Sequence, residues 1–126
     1  MSKIMKTLAL AFIASLSFAA TQAMAEYKAV LTCGMNGSHI NILACFTDTD
    51  LKVTNNGQTG IYKVYNIKQL GSEYQDGFHI TLSNSFSLKA QNSHDTLTLG
   101  IKIYDANNNE TYQDMVGKYG VINVGN

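Results

Sequence analysis

This sequence predicts an all-β fold, a small antiparallel β-sandwich or barrel of about seven to eight strands, with one disulfide and one short helical turn. Three observations carry that prediction. Apolar residues recur at every second position in several segments, while helical spacing is scarce. Clusters of Asn, Gly and Asp punctuate those segments at short intervals, and these residues favour turns through positive φ and side-chain bonds to the local backbone. The chain's two cysteines, Cys33 and Cys45, fall within the single stretch LTCGMNGSHINILACF.

The first 25 residues read as a cleaved Sec signal peptide. Lys3 and Lys6 make a positive start, TLALAFIASLSFAA an apolar centre, and Ala23 and Ala25 the small residues a peptidase requires. The apolar run is shorter than the roughly 20 residues that span a bilayer. Cleavage after Ala25 leaves residues 26–126 as a single mature β domain, periplasmic or secreted, with no further segment long and apolar enough to cross a membrane.

Residues 27–33 and 39–46 read as strands around the turn-forming MNGS. TNNGQTG, holding Asn56 and Gly57, separates DLKV from IYKVYNI. In the latter, Tyr62 and Tyr65 are three apart and face opposite sides if it is a strand. NIKQLGSEY is the candidate helical turn, with Asn66 as cap and Gly71 as stop. GFHITL sets Phe78, Ile80 and Leu82 against His79 and Thr81, and SFSLKAQ repeats the pattern with Phe86, Leu88 and Ala90. DTLTLGIKIY is the clearest case, with Leu97, Leu99, Ile101 and Ile103 on one side. QNSHD and DANNNE are turns, and GKYGVINVGN supplies a final short strand. With no proline anywhere, edge strands need Lys, bulges or loops as guards.

Export places the cysteines in an oxidising compartment, where Cys33 and Cys45 form the one possible disulfide. Their unequal distances from Asn36-Gly37 require a loop wider than a two-residue hairpin, or a bulge. Zinc on Cys33, Cys45 and His39 lacks a fourth ligand at standard spacing. ILAC resembles a lipobox, but the polar CGMNGSHIN precedes it where an apolar signal core belongs.

Seven lysines against nine carboxylates give the mature chain a balance of −2, and there is no Arg. Nucleic acid, whose affinity comes from clustered cations, is therefore not an expected partner. His39, His79 and His94 read as polar surface residues, and no serine sits in a nucleophile elbow. Asp48 and Asp50 have no apolar flank to raise a carboxyl for acid–base work and read as loop rim or turn caps. No catalytic residue, metal site or cofactor is expected. Asp105, Asn107 and Asn109 match the first, third and fifth places of an EF-hand loop. Glu110 stands where its Gly belongs and Val116 where its Glu belongs, which leaves at most a loose calcium site at residues 105–110. Seven tyrosines and no tryptophan suit both pleated surfaces and contact surfaces.

The segment GSEYQDG, just before the strand FHITL, resembles a stretch of the membrane-bound or periplasmic C-type lysozyme inhibitors. In these the motif runs Ser-Gly-x-x-Tyr, then Asp-Gly and a strand. Gly71, Tyr74, Asp76 and Gly77 match; Leu70 stands at the serine that engages lysozyme, and the later Trp-x-Lys-Gly element is absent. The likeness extends loosely to YKAVLTCG and VTNNGQTGIYKV. The resemblance implies a small secreted β-barrel that pushes a loop into the lysozyme cleft. Pilin-type subunits are another exported class with one disulfide, but their cysteines usually lie further apart. The expectation is a non-enzymatic exported domain that binds a protein partner through loops or a strand edge. Its candidate binding residues are Asn56, Gly57, Gly71, Ser72, Tyr74, Asp76, Gly77, Asn107 and Asn109. An inhibitor of a lysozyme-like hydrolase and a surface or adhesin-type subunit are the alternatives.

Overall fold

Period-two alternation becomes two packed antiparallel sheets. A computed structural model describes residues 26–126, so the expected leader lies outside the described residues. Nine strands follow in order: β1 (Tyr27–Gly34), β2 (Leu51–Asn55), β3 (Gln58–Tyr62), β4 (Ser72–Tyr74), β5 (Gly77–Leu82), β6 (Phe86–Gln91), β7 (Thr98–Tyr104), β8 (Glu110–Val116) and β9 (Val121–Gly125). One sheet runs β4-β5-β1-β7-β8 and the other β3-β2-β6-β9. Of the expected sandwich or barrel, the fold is the sandwich. Its strand count reaches nine, although residues 39–46 form none, because Ser72–Tyr74 pairs with β5 and Glu110–Val116 pairs with β7.

The alternating residues face one another across the layers. Leu97, Leu99, Ile101 and Ile103 are buried, as are Phe78, Ile80 and Leu82 from β5 and Phe86, Leu88 and Ala90 from β6. Removal of this apolar area from water is the main force holding the sheets together. Among the described residues Asn92 is the one polar residue with no exposed surface, and its bonds are met. Its amide nitrogen donates to the carbonyls of Leu97 and Val116, and its Oδ1 accepts from the His94 N–H.

Three local expectations change. Residues 39–46 are not a strand: Ile42–Cys45 is a 3-10 turn, with Asn41 Oδ1 accepting the Leu43 N–H at 2.9 Å. Ile42 and Cys45, three apart, share its buried face, which is the spacing of that helix. Beyond Tyr62 the chain leaves the sheet, so Tyr65 is not a strand residue and stands exposed on a turn. The second helical turn does form, at Ile67–Gln69, but Asn66 does not cap it. Asn66 Oδ1 instead accepts the Lys63 N–H at 2.7 Å, closing the preceding turn.

The β2–β3 hairpin turns through Asn56 and Gly57, whose φ values of 49° and 81° are both positive. That geometry matches the right-handed twist of the flanking strands. A Cβ on Gly57 would touch nothing within 4 Å, so Gly57→Ala introduces backbone strain alone. Its expected cost is about 1 kcal/mol, read as a lower urea midpoint with an unchanged m-value.

The staple is present. Cys33 on β1 and Cys45 on the first 3-10 turn form a disulfide, with both residues fully buried. It ties strand to turn rather than strand to strand. No helix among the described residues is long and apolar enough to cross a membrane.

Candidate functional site

Strand register places two rows of side chains on the outer face of the five-stranded sheet. In one, Ser72, His79, Val30, Lys102 and Gln113 stand in line across β4, β5, β1, β7 and β8. In the neighbouring row, Tyr74 pairs with Gly77, and Gly100 pairs with both Thr32 and Met115. Two of these positions are glycine and carry no side chain. The second row is therefore a trough between Tyr74, on the edge strand β4, and Met115, on β8. These two side chains are 55% and 48% exposed.

Neither glycine is incidental. A Cβ on Gly100 would lie 2.6 Å from Thr32 Oγ1. Gly77 has φ +146°, and its Cβ would lie 2.6 Å from Val30 Cγ1 and 2.7 Å from the Leu31 carbonyl oxygen. Val30 and the Leu31 carbonyl fill the space over Gly77, whereas Gly100 borders a depression that stays open. The depression has a volume of about 340 Å³, with Val30, Thr32 and Met115 lining it and Gly37, Asp76 and Lys102 at its sides.

The rim is ordered by side-chain contacts. The Tyr74 ring lies against His79, centroids 4.4 Å apart, and His79 Nε2 is 2.8 Å from Asp76 Oδ1. That hydrogen bond from His79 is the main reason the Asp76 carboxyl lies below its ordinary range. A carboxyl made more acidic by folding contributes stability at neutral pH. The contribution is lost as pH falls through the lowered value.

The sequence-predicted residues are divided by the fold. Asp76 lines the depression, Tyr74 and Gly77 pair beside it at the β4–β5 end of the same row, and Ser72 stands in the neighbouring row. Gly71 packs on the β5 backbone, where a Cβ would meet the His79 carbonyl oxygen. Asn56 and Gly57 tip the β2–β3 hairpin of the other sheet. Asn107 and Asn109 belong to the β7–β8 turn, beside the start of β1 at the far end of the sheet. There Asp105 Oδ1 accepts both of their N–H groups at 2.9 Å, so its carboxylate holds the turn together.

Histidine positions also correct the sequence reading. His39 is no surface residue: its side chain is 2% exposed. Its Nδ1 accepts the Cys33 N–H at 3.0 Å, and Nε2 meets Glu73. Cys33 and Cys45 are bonded to each other, so neither thiolate is available to a metal. Among the described residues no three His, Cys, Asp or Glu stand close enough to hold an ion. His94 Nδ1 accepts the Thr96 and Leu97 N–H groups and serves its own turn. Ser72 is the register partner of His79, yet among the described residues no hydrogen bond joins its hydroxyl to that ring.

Sequence reasoning missed Val30, Thr32, Gly100 and Met115. The one available signal was Gly100, a glycine inside an otherwise regular strand. No family model, curated protein or solved structure shows significant similarity to this chain.

Proposed function

We propose that this chain is an exported, non-enzymatic domain that holds a protein partner in the trough on the outer face of its five-stranded sheet. The observation that carries this reading is the depression of about 340 Å³ over Gly100, lined by Val30, Thr32, Tyr104 and exposed Met115. Aromatic and Met side chains around a concave floor are the composition of interface centres, while polar Asp76, Lys102 and Gln113 suit a rim. A periplasmic or extracellular setting fits both the signal-like leader and the buried disulfide.

The test uses a photo-reactive amino acid at position 115 or position 56 of the full chain in its own host. Adducts of one defined mass from position 115, and none from 56, are the expected outcome. Equal yields from both positions, or none from 115, would remove the basis of this reading. Tyr74→Ala and Met115→Ala should each weaken the cross-linked partner's binding by about tenfold or more. As exposed side chains, they should change folding stability by no more than about 0.5 kcal/mol.

Asp76 lining the depression, with Tyr74 and Gly77 next to it on the β4–β5 hairpin, also favours the sharper reading, an inhibitor of a lysozyme-like hydrolase. Unchanged lysis rates with the protein in large excess over a panel of lysozymes would dispose of it. A strand-exchanging subunit is less well supported, because β1, the first strand, already pairs on both sides within its own sheet. Light scattering showing a strict monomer would count against polymerisation.

A further inference from the structure

On the opposite face of the sandwich, the outward row Ile61, Lys52, Lys89 and Asn123 runs across β3, β2, β6 and β9. Lys52 and Lys89 are direct register partners on neighbouring strands, which sets their Cβ atoms about 5 Å apart. Like charges placed directly opposite destabilise a sheet. Among the described residues neither ammonium has an ion-pair partner, whereas Lys63, Lys102 and Lys118 each have one, in Asp50, Glu110 and Asp95. A domain with more carboxylates than lysines thus keeps two uncompensated cations side by side.

The two lysines do not stand on a flat surface. With Lys63, Ile61, Gln91, Thr49 and the carboxylates of Asp48 and Asp50 they border a depression of about 380 Å³. Lys63 is held in place there by Asp50, Nζ to Oδ1 at 2.7 Å. Ile61, 56% exposed, forms an apolar wall next to Lys52. Two adjacent ammoniums without ion-pair partners suit a compact divalent oxyanion, which can bridge both and cancel their repulsion. A polyanion would need a track of such cations, and this depression offers two without an ion-pair partner.

We propose that this depression is a binding site for a single phosphate-class oxyanion, held chiefly between Lys52 and Lys89. The site lies on the other sheet from the trough and does not depend on the partner-binding reading.

Thermal melts of the mature domain at constant ionic strength, with inorganic phosphate replacing chloride, test it. The wild-type melting temperature should rise with phosphate beyond the rise seen in Lys89→Gln and Lys52→Gln. Comparison with the variants matters because phosphate strengthens burial in any protein. In low-salt chloride alone, both variants should melt at or above the wild-type temperature, since the repulsion is gone. A phosphate response of equal size in wild type and variants would overturn the proposal, as would variants that melt lower in chloride. Amide NMR gives a second readout. Phosphate-induced shifts should centre on Lys52, Lys89 and Ile61, and shifts confined elsewhere would also overturn it. Sedimentation with phosphatidate vesicles then identifies the source. Co-sedimentation lost in Lys89→Gln assigns a lipid headgroup, and phosphate binding without co-sedimentation assigns the free ion.

Discussion

Replacing Cys33 and Cys45 together by Ala is expected to cost about 3 kcal/mol of folding stability, the chain-entropy value for a loop of this length. The two residues are 12 apart in sequence, and the segment between them holds one turn at residues 35–38 and the 3-10 turn at Ile42–Cys45. Only part of that segment is paired to a sheet, so without the bridge it has much freedom to regain on unfolding. For a domain this small, each kcal/mol moves the melting temperature by about 4–8 °C, so a fall of roughly 12 °C or more should be seen. The same fall should appear in wild-type protein once it is reduced. Because both cysteines are fully buried, reduction should be slow under native conditions and should track local opening of the loop. A double variant that melts within about 2 °C of wild type would show that packing alone holds this segment.

The bridge also explains which parts of the fold can be read along the chain. Leu97, Leu99, Ile101 and Ile103 alternate and are buried, because β7 lies inside a sheet with one face on the core. Ile40, Ile42, Ala44 and Phe46 alternate just as regularly, yet Ile40 is exposed and the segment is a 3-10 turn. What decides there is not periodicity. Asn41 caps the turn, and Cys45 must reach a strand residue buried on the inner face. Both constraints depend on where β1 lies. The candidate sites are less legible still. Tyr74, Thr32, Gly100 and Met115 become neighbours only through the register of β4, β5, β1, β7 and β8. Lys52 and Lys89 likewise meet only once β2 pairs with β6. Local spacing encodes strands, whereas these surfaces are written in the pairing of distant ones.

Glu73→Ala is expected to cost about 3 kcal/mol, because it leaves two largely shielded donors unmet at once. Glu73 belongs to β4, within the stretch whose Tyr74 and Asp76 face the trough, but its own side chain turns to the cysteine loop. Oε1 lies 2.5 Å from His39 Nε2, and Oε2 accepts the Ile42 N–H at 3.1 Å. The Cys33 N–H can only donate, so His39 Nδ1 is its acceptor, and Nε2 carries the hydrogen given to Glu73. A continuous chain of bonds thus links β4 through His39 to β1, and directly to the 3-10 turn that carries Cys45. Glu73→Gln should recover less than half of the loss. Its one amide oxygen can serve either donor, while its NH₂ then faces the other. His39→Ala should cost less in the Glu73→Ala background than in wild type, since both changes break one network. Urea unfolding of the four proteins measures this, and strictly additive costs would show that the two side chains act separately. Because this clamp and the disulfide restrain the same segment, Glu73→Ala should also speed reduction of Cys33–Cys45 in the native protein. An unchanged reduction rate would mean that the loop opens by a motion in which Glu73 takes no part.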